Sequence, residues 1–232
     1  MASVNFGDLL IWLVAFLFSV TAHEAAHAFV AMKGGDLTAY HNGQVTLNPV
    51  PHILRSPFGM VLVPIFFFVT SGFMIGWASA PYNAEWAAKY PRRAAWMASA
   101  GSVANLCIFL CAILLAKIGL SSGVFQPPHG GAFGFTSIVF AESGVWLSIA
   151  KLLSIFIFLN LLLVVFNLFP FPPLDGGSVI TLFMSETTAL RFSRFINQPM
   201  YSILGLVIAW RFIGTVFRPL FKLSVDLLYG GF

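Results

Sequence analysis

The feature that most constrains this chain is the run His23-Glu24-Ala25-Ala26-His27, which lies inside an apolar stretch covering residues 9–32. Two histidines four residues apart on a helix project from one face, one turn apart, so both rings can reach a single metal ion. A charged side chain at the centre of a membrane helix costs about 2.5–3.5 kcal/mol. A bound metal would compensate this cost by pairing with the polar groups. The cluster therefore indicates a zinc site, in which Glu24 is placed to act as the general base toward a metal-bound water.

The composition places this site in a membrane protein. Hydrophobic residues make up 59% of the 232 residues and charged residues only 9%, whereas a soluble domain is about a quarter charged. No long polar linker divides the chain, so we expect residues 1–232 to form a single membrane-embedded domain. The net charge of +4 comes largely from basic residues beside apolar runs, which indicates membrane topology rather than nucleic-acid binding.

Four apolar stretches are long enough to cross a bilayer, which takes about 20 residues. They are 9–32, 94–120, 144–168 and approximately 199–216. Arg211 interrupts the last; it could snorkel, pair with Asp226 or mark a shorter span. We expect the first span to be permanent rather than a cleaved signal, because no Lys or Arg precedes it. A fifth run, 58–77, contains Pro64 and three glycines, which suit a broken or re-entrant segment.

The second polar signal is Asp175, which follows three prolines after the third span and precedes Gly176. By itself it would be an ordinary helix N-cap. With the two histidines it completes a His-His-Asp set that leaves a fourth tetrahedral position for water. Ligands of one metal must lie at the same depth, so the chain has to cross the membrane an even number of times between the end of the first span and Asp175. We therefore expect residues 58–77 to enter the membrane and return on the same side.

Basic residues favour the same topology, because they concentrate on the side of the proposed metal, which makes that side cytoplasmic. They are Lys33, Arg55, Lys89, Arg92, Arg93, Arg191 and Arg194. On that side, residues 43–49 alternate apolar and polar, which predicts a short strand or hairpin whose edge could receive an extended peptide. The single histidines His41, His52 and His129 lack ligand spacing, and we expect them to be solvated loop residues.

The expected fold class is an all-α polytopic membrane protein. It has about four full transmembrane helices, a re-entrant or hairpin segment, and short broken helices around a membrane-embedded metal site. These motifs together resemble the site-2 protease (peptidase M50) family of intramembrane zinc metalloproteases. The resemblance rests on residues 23–27 and on the Asn167…Pro170…Asp175-Gly176 pattern, and it extends to residues 44–49, 76–83 and 101–105. Within that family, the chain is similar to the short prokaryotic subgroup that has no PDZ or CBS domain.

The resemblance implies one Zn²⁺ ion per chain, held by His23, His27 and Asp175, with Glu24 as the catalytic base. Asn167 and Asn105 are candidates for holding the substrate or stabilising the oxyanion. For Asn105, a hydrogen bond between helices is the favoured alternative. The chain departs from the family pattern outside the ligands: it has Gly101-Ser102 where Gly-Pro is frequent, and Ser79-Ala80 where Lys-Pro is expected.

The activity that the resemblance implies is that of a zinc metalloendopeptidase. It would hydrolyse a peptide bond of a membrane-anchored protein near the cytoplasmic face, as in regulated intramembrane proteolysis. The expected location is the inner membrane of a prokaryotic cell, with the active site toward the cytoplasm. The partners would be the lipid bilayer and a protein substrate, with no nucleic acid. Two alternatives stay open: an ion or metal transporter, in which the trio is a transit site, and a catalytically inactive relative that binds membrane segments.

Overall fold

The computed structural model describes residues 5–128, 130, 133–196 and 198–230. These residues are mostly helical, and between them they contain no β-strand beyond two isolated bridges, Gln126 with Phe140 and Gly134 with Ser137. The all-α class is therefore confirmed. His129, for which a solvated position was predicted, lies outside the described residues.

The helices vary from single turns to membrane-spanning lengths. In chain order they are α1 (Phe6–Gly34), α2 (Thr38–His41), α3 (Pro49–Arg55), α4 (Val63–Ser71), α5 (Ala84–Lys89), α6 (Pro91–Ser121), α7 (Gly144–Asn167), α8 (Gly176–Val179), α9 (Glu186–Ile196) and α10 (Pro199–Tyr229). A π-helical turn, Phe58–Leu62, precedes α4, and a 3₁₀ turn, Ile180–Phe183, follows α8. Within the described residues, α1, α6, α7 and α10 are long and apolar enough to cross a membrane. The four expected spans are therefore confirmed.

The last span is longer than the sequence indicated. We expected it to cover residues 199–216, but α10 continues through Arg211 and Pro219 to Tyr229. A single arginine raises the cost of a membrane helix without disturbing its backbone hydrogen bonds, so hydropathy underestimates the length of the helix. Arg211 cannot pair with Asp226, because 15 residues of one helix separate them by about 22 Å.

The segment between α1 and α6 contains a sharply bent pair of helices. Pro49–Arg55 and Phe58–Ser71 meet at 113°, as in a broken span or a re-entrant loop. The chain then returns against the π-turn, where Trp77 N donates to Gly59 O over 3.1 Å. A Cβ atom on Gly59 would collide with that Trp77 carbonyl. The bend agrees with the expected broken or re-entrant segment.

Two predictions for residues 43–52 are wrong. Residues 43–48 form turns, bends and irregular chain instead of a strand, and Pro49 begins α3. Gly43 adopts a left-handed φ of 68°, and the Asn48 side chain caps α3, so local turn and capping chemistry overrides the alternating pattern. His52 is buried rather than solvated, with 1% of its surface exposed, and its Nε2 lies 3.1 Å from Thr46 O.

The core is built by α1, α6 and α7, which pack together along most of their lengths. Its large side chains include Trp12, Phe16, Ile155 and Ile157, all essentially inaccessible to solvent. By contrast, α10 lies at the periphery, because only 11% of its most apolar 18-residue stretch is buried. The helix that carries His23 and His27 therefore packs directly against both α6 and α7.

Candidate metal centre

Three ligand atoms from distant parts of the chain converge at one point. His23 Nε2 and His27 Nε2 lie 2.9 Å apart. Asp175 Oδ2 lies 3.2 Å from the first and 3.3 Å from the second. Tetrahedral ligands about 2.0–2.2 Å from zinc are separated from one another by roughly 3.3–3.5 Å. The trio predicted from the sequence is thus brought together at a spacing that could hold one metal ion.

The second ring nitrogen of each histidine determines which tautomer is present. His27 Nδ1 lies 2.7 Å from the carbonyl oxygen of Met97. His23 Nδ1 lies 2.7 Å from Asn105 Oδ1. An oxygen of either kind can only accept a hydrogen bond, so both Nδ1 atoms carry the hydrogen. Both Nε2 atoms, when the rings are neutral, then direct a lone pair toward the point between the three ligands.

A buried hydrogen-bond network across α1, α6 and α7 supports the orientation of His23. Asn105 Nδ2 donates to Ser19 O over 3.1 Å and to Asn160 Oδ1 over 2.8 Å. Asn160 Nδ2 in turn donates to Ser19 Oγ over 2.9 Å and to Phe156 O over 3.0 Å. Because the Asn105 amide nitrogen is occupied by two acceptors, its oxygen must face His23.

The resulting arrangement fits a cation. Two lone-pair nitrogens and a carboxylate oxygen face one another at about van der Waals contact, which is unfavourable unless a positive charge lies between them. Asp175 Oδ2 is buried and has no hydrogen-bond partner within the described part of the chain. Neutral imidazole and carboxylate are donor groups that zinc binds.

Small residues allow the surrounding backbone to approach this point. A Cβ atom on Gly101 of α6 would collide with the rings of His23 and His27. A Cβ atom on Gly176 would collide with the carbonyl oxygens of Leu168 and Phe169. The tight turn after α7 therefore requires glycine beside Asp175. As predicted, that aspartate directly precedes a short helix, but its side chain does not cap α8 and instead faces the histidines.

A cavity of about 570 Å³ opens onto the trio, and Glu24 and Asn167 also line it. Asn167 is half-buried, so its amide is available to a ligand. Asn105 is fully buried at 0% exposure and its side chain is occupied by three helix-to-helix hydrogen bonds. These contacts favour the helix–helix alternative for Asn105 over a role at the oxyanion.

Sequence reasoning missed the supporting residues Ser19, Met97 and Asn160. Met97 contributes a backbone carbonyl, which carries no sequence signal. Asn160 could have been noticed, because a polar side chain in the middle of an apolar span is costly there and usually has a specific partner.

The sequence profile of Peptidase family M50 matches residues 11–210. The chain belongs to this family. It is 40% identical over 169 residues to "Putative zinc metalloprotease YwhC" of Bacillus subtilis, covering 72% of this chain and 66% of the relative. It is 29% identical over 182 residues to "Putative zinc metalloprotease Rip2" of Mycolicibacterium smegmatis, covering 78% and 60%. The Mycobacterium tuberculosis protein of that name is 30% identical over 174 residues, covering 75% and 57%.

The chain therefore spans about three-fifths to two-thirds of the length of these curated relatives. No solved structure gives a significant match. Zinc is the cofactor of the M50 family, and the donor set of this M50 chain agrees with that metal. The family resemblance and the cofactor inferred from the sequence are thus confirmed.

Proposed function

We propose that this M50 chain is an intramembrane zinc metalloendopeptidase that hydrolyses a peptide bond of a membrane-anchored protein near the cytoplasmic face. The observation that carries the proposal is the convergence of His23, His27 and Asp175 beside Glu24 in one cavity. Membership of a peptidase family favours proteolysis over the ion-transport alternative. A glutamate between the ligands favours an active enzyme over an inactive relative, because metal binding alone does not need it.

Each site residue has a chemical task in this proposal. His23, His27 and Asp175 hold the zinc ion. When bound, zinc supplies a Lewis acid that polarises a carbonyl and lowers the pKa of water. Glu24 accepts a proton from the attacking water and passes it to the leaving amine. Asn167 donates a hydrogen bond from its amide to the substrate, either to its backbone or to the developing oxyanion.

The cavity wall offers a surface for an extended substrate. Residues 74–83 contain no helix, turn or bend, and Ala78, Ser79, Ala80 and Tyr82 line the cavity. The segment is anchored at Trp77, whose N donates to Gly59 O, and at Asn83, whose N donates to the Asp36 carboxylate.

The anchored backbone groups of this segment all belong to odd-numbered residues. Trp77 N bonds to Gly59 O over 3.1 Å. Ser79 O accepts from Arg55 Nε over 2.9 Å, and Asn83 N donates to Asp36 Oδ2 over 2.7 Å. In an extended chain, backbone groups of alternate residues point to opposite sides.

On an extended path from residue 77 to residue 83, the backbone groups of the even-numbered residues 78, 80 and 82 would point away from these anchors, and within the described residues no hydrogen bond satisfies them. A helical substrate hides its carbonyls in its own hydrogen bonds, so cleavage requires a locally extended chain. We assign residues 78–82 as the edge that holds this chain by backbone pairing, a role first expected for residues 43–49.

The cytoplasmic orientation and the prokaryotic inner-membrane location remain part of the proposal. Their support is the positive-inside bias, because basic side chains cluster at the end of the molecule that holds the cavity. Arg194 lines the cavity itself, and Lys33 lies in the last turn of α1. Arg93 Nη1 donates to Gly34 O over 3.0 Å at the same end.

The decisive test measures zinc content and cleavage together in detergent-purified wild type and Glu24→Gln. A panel of membrane-spanning reporter peptides serves as substrate. We expect nearly one zinc per chain in both proteins, with cleavage in the wild type alone and none after treatment with a chelator. Asp175→Asn should bind zinc more weakly, because it removes an anionic ligand.

Cleavage by Glu24→Gln at the wild-type rate would contradict its role as the base. Wild-type protein that binds no zinc under conditions where the fold is intact would contradict the metal site. If both proteins bind zinc and neither cuts any peptide, ion flux across vesicles should be measured. Ion flux that depends on Asp175 would then favour the transport alternative over proteolysis.

A further inference from the structure

The outer half of α10 carries a row of cations on one face. Arg211, Thr215, Arg218 and Lys222 follow one another at intervals of four, three and four residues, which is the spacing of one helix face. All four side chains are exposed. We call these four residues the basic stripe. The match to the M50 profile ends at residue 210, so the basic stripe lies just beyond the part of the chain that defines the family.

The middle of the basic stripe lies within the membrane-spanning helix α10. Lys117 Nζ donates to Leu227 O over 3.3 Å, which places that turn of α10 level with the outer end of α6. Arg218 precedes Leu227 by nine residues, or about 14 Å along the helix. α10 is long and apolar enough to cross a membrane, and Arg218 lies about one turn beyond its midpoint, inside the span. An arginine at this depth is unfavourable unless it meets a partner or water.

The described residues provide no counter-charge for the basic stripe. The carboxylates that they place within 4 Å of a basic side chain are Asp8, beside Lys151, and Asp175, beside the two histidines. On α10 itself the carboxylate is Asp226, which lies eight residues from Arg218, about 12 Å along the axis. It also forms no ion pair with Lys222, one turn away. The charges of the stripe are therefore unbalanced within the described chain.

An apolar groove runs beside the basic stripe. It has a volume of about 290 Å³ and lies between α7, α10 and the loop that precedes α7. Its walls include Phe135, Phe158, Leu162 and Phe217, and Arg218 belongs to both the groove and the stripe. Apolar walls beside an exposed cation of a membrane-spanning helix suit an apolar helix that carries one carboxylate.

The basic stripe also points away from the catalytic cavity. Ser202, which lines that cavity, precedes Arg211 by nine residues, or two and a half turns, and therefore lies on the opposite face of α10. A helix bound at the stripe would leave the cavity free. Its occupant is thus a bound partner rather than the segment that is being cut.

We propose that the basic stripe and its groove dock a transmembrane helix of another protein that carries Asp or Glu within its membrane-embedded part. Charge complementarity selects this occupant. A second copy of the chain would place cations against cations in a symmetric contact. Lipid phosphates lie at the membrane surface, whereas Arg218 lies two and a half turns before Leu227, near the outer end of α10.

The test uses full-length Glu24→Gln protein in phosphatidylcholine vesicles, so that no probe is cleaved. A donor dye on the exposed cysteines Cys107 and Cys111 reports energy transfer to synthetic Leu/Ala transmembrane peptides. One peptide carries a single central Asp and the other carries Leu at that position. We expect the Asp peptide to bind about tenfold more tightly or better.

Arg218→Gln should remove the preference for the Asp peptide, whereas Arg191→Gln, an exposed arginine of α9 outside the stripe, should leave it unchanged. Arg218→Glu should instead prefer a peptide with a central Lys. Equal binding of the Asp and Leu peptides by the unmodified stripe would overturn the proposal. So would an Asp preference that survives in Arg218→Gln, or dimerisation of the chain through the stripe. The result does not depend on proteolysis, so it is separate from the proposed activity.

Discussion

Replacing Asn105 by leucine should weaken zinc binding 10- to 100-fold while leaving the three ligands in place. Asn105 Oδ1 is the partner of His23 Nδ1 at 2.7 Å, and leucine has a similar size but cannot accept a hydrogen bond. His23 would then lose the contact that holds its Nε2 lone pair toward the metal. Loss of such an outer partner costs about 10- to 100-fold in metal affinity, or about 1.4–2.7 kcal/mol.

The same substitution has a second, separable effect on stability. It removes the donor to Ser19 O and to Asn160 Oδ1; Ser19 O keeps its hydrogen bond within α1, but Asn160 Oδ1 is left unsatisfied, at a cost of about 1–3 kcal/mol. The matched control is Asn105→Asp, which keeps an oxygen toward His23 but cannot donate to the other two groups. We expect Asn105→Asp to lose stability while retaining zinc affinity within a few-fold, because carboxylates are common partners of zinc-bound histidines.

Zinc affinity should be measured by competition with a chromogenic chelator in detergent, in the Glu24→Gln background, and unfolding should be followed in the same samples with zinc removed. The tautomer argument predicts that affinity separates the two variants and that stability does not. It would be refuted if Asn105→Leu bound zinc as tightly as the parent. It would also fail if both variants lost affinity in proportion to their loss of stability.

Three further predictions concern other parts of the chain. Gly101→Ala should cost about 1–3 kcal/mol of stability through overpacking and lower zinc affinity, measured with the same chelator, because its methyl group meets both histidine rings. Ala80→Pro should raise KM about 2- to 12-fold by removing one backbone donor to the substrate, whereas Ser79→Pro, on the anchored side, should change KM less. Burial acts to raise the pKa of Asp36, but hydrogen bonds from Thr38 and Asn83 outweigh it and hold that pKa below its usual value. Asp36 therefore stabilises the fold above about pH 4, and this stability is lost as the pH falls through the lowered pKa; Asp36→Asn should flatten that acid dependence in thermal unfolding from pH 6 to pH 3.

The sequence by itself determined the class of the protein and the chemistry of its site. A bilayer requires long apolar helices, so four spans could be read from composition and length. His23 and His27 share a helix face through local geometry alone. Asp175 could be added because ligands of one metal must lie at one depth. The structure has four such helices and brings the three side chains together, because each inference depends on short-range periodicity or on the dimensions of the membrane.

Only the tertiary structure decided what surrounds those ligands and which backbone is free. The bonds from His23 to Asn105 and on to Asn160 join three helices whose relative rotation no local pattern specifies. The predicted strand at 43–49 was lost to turn and capping interactions, and the edge that we propose for the substrate lies at 78–82, where the backbone groups of residues 78, 80 and 82 form no hydrogen bond within the described residues. Such features arise from contacts between segments far apart in the chain, and packing, rather than the sequence of either segment, determines which groups meet.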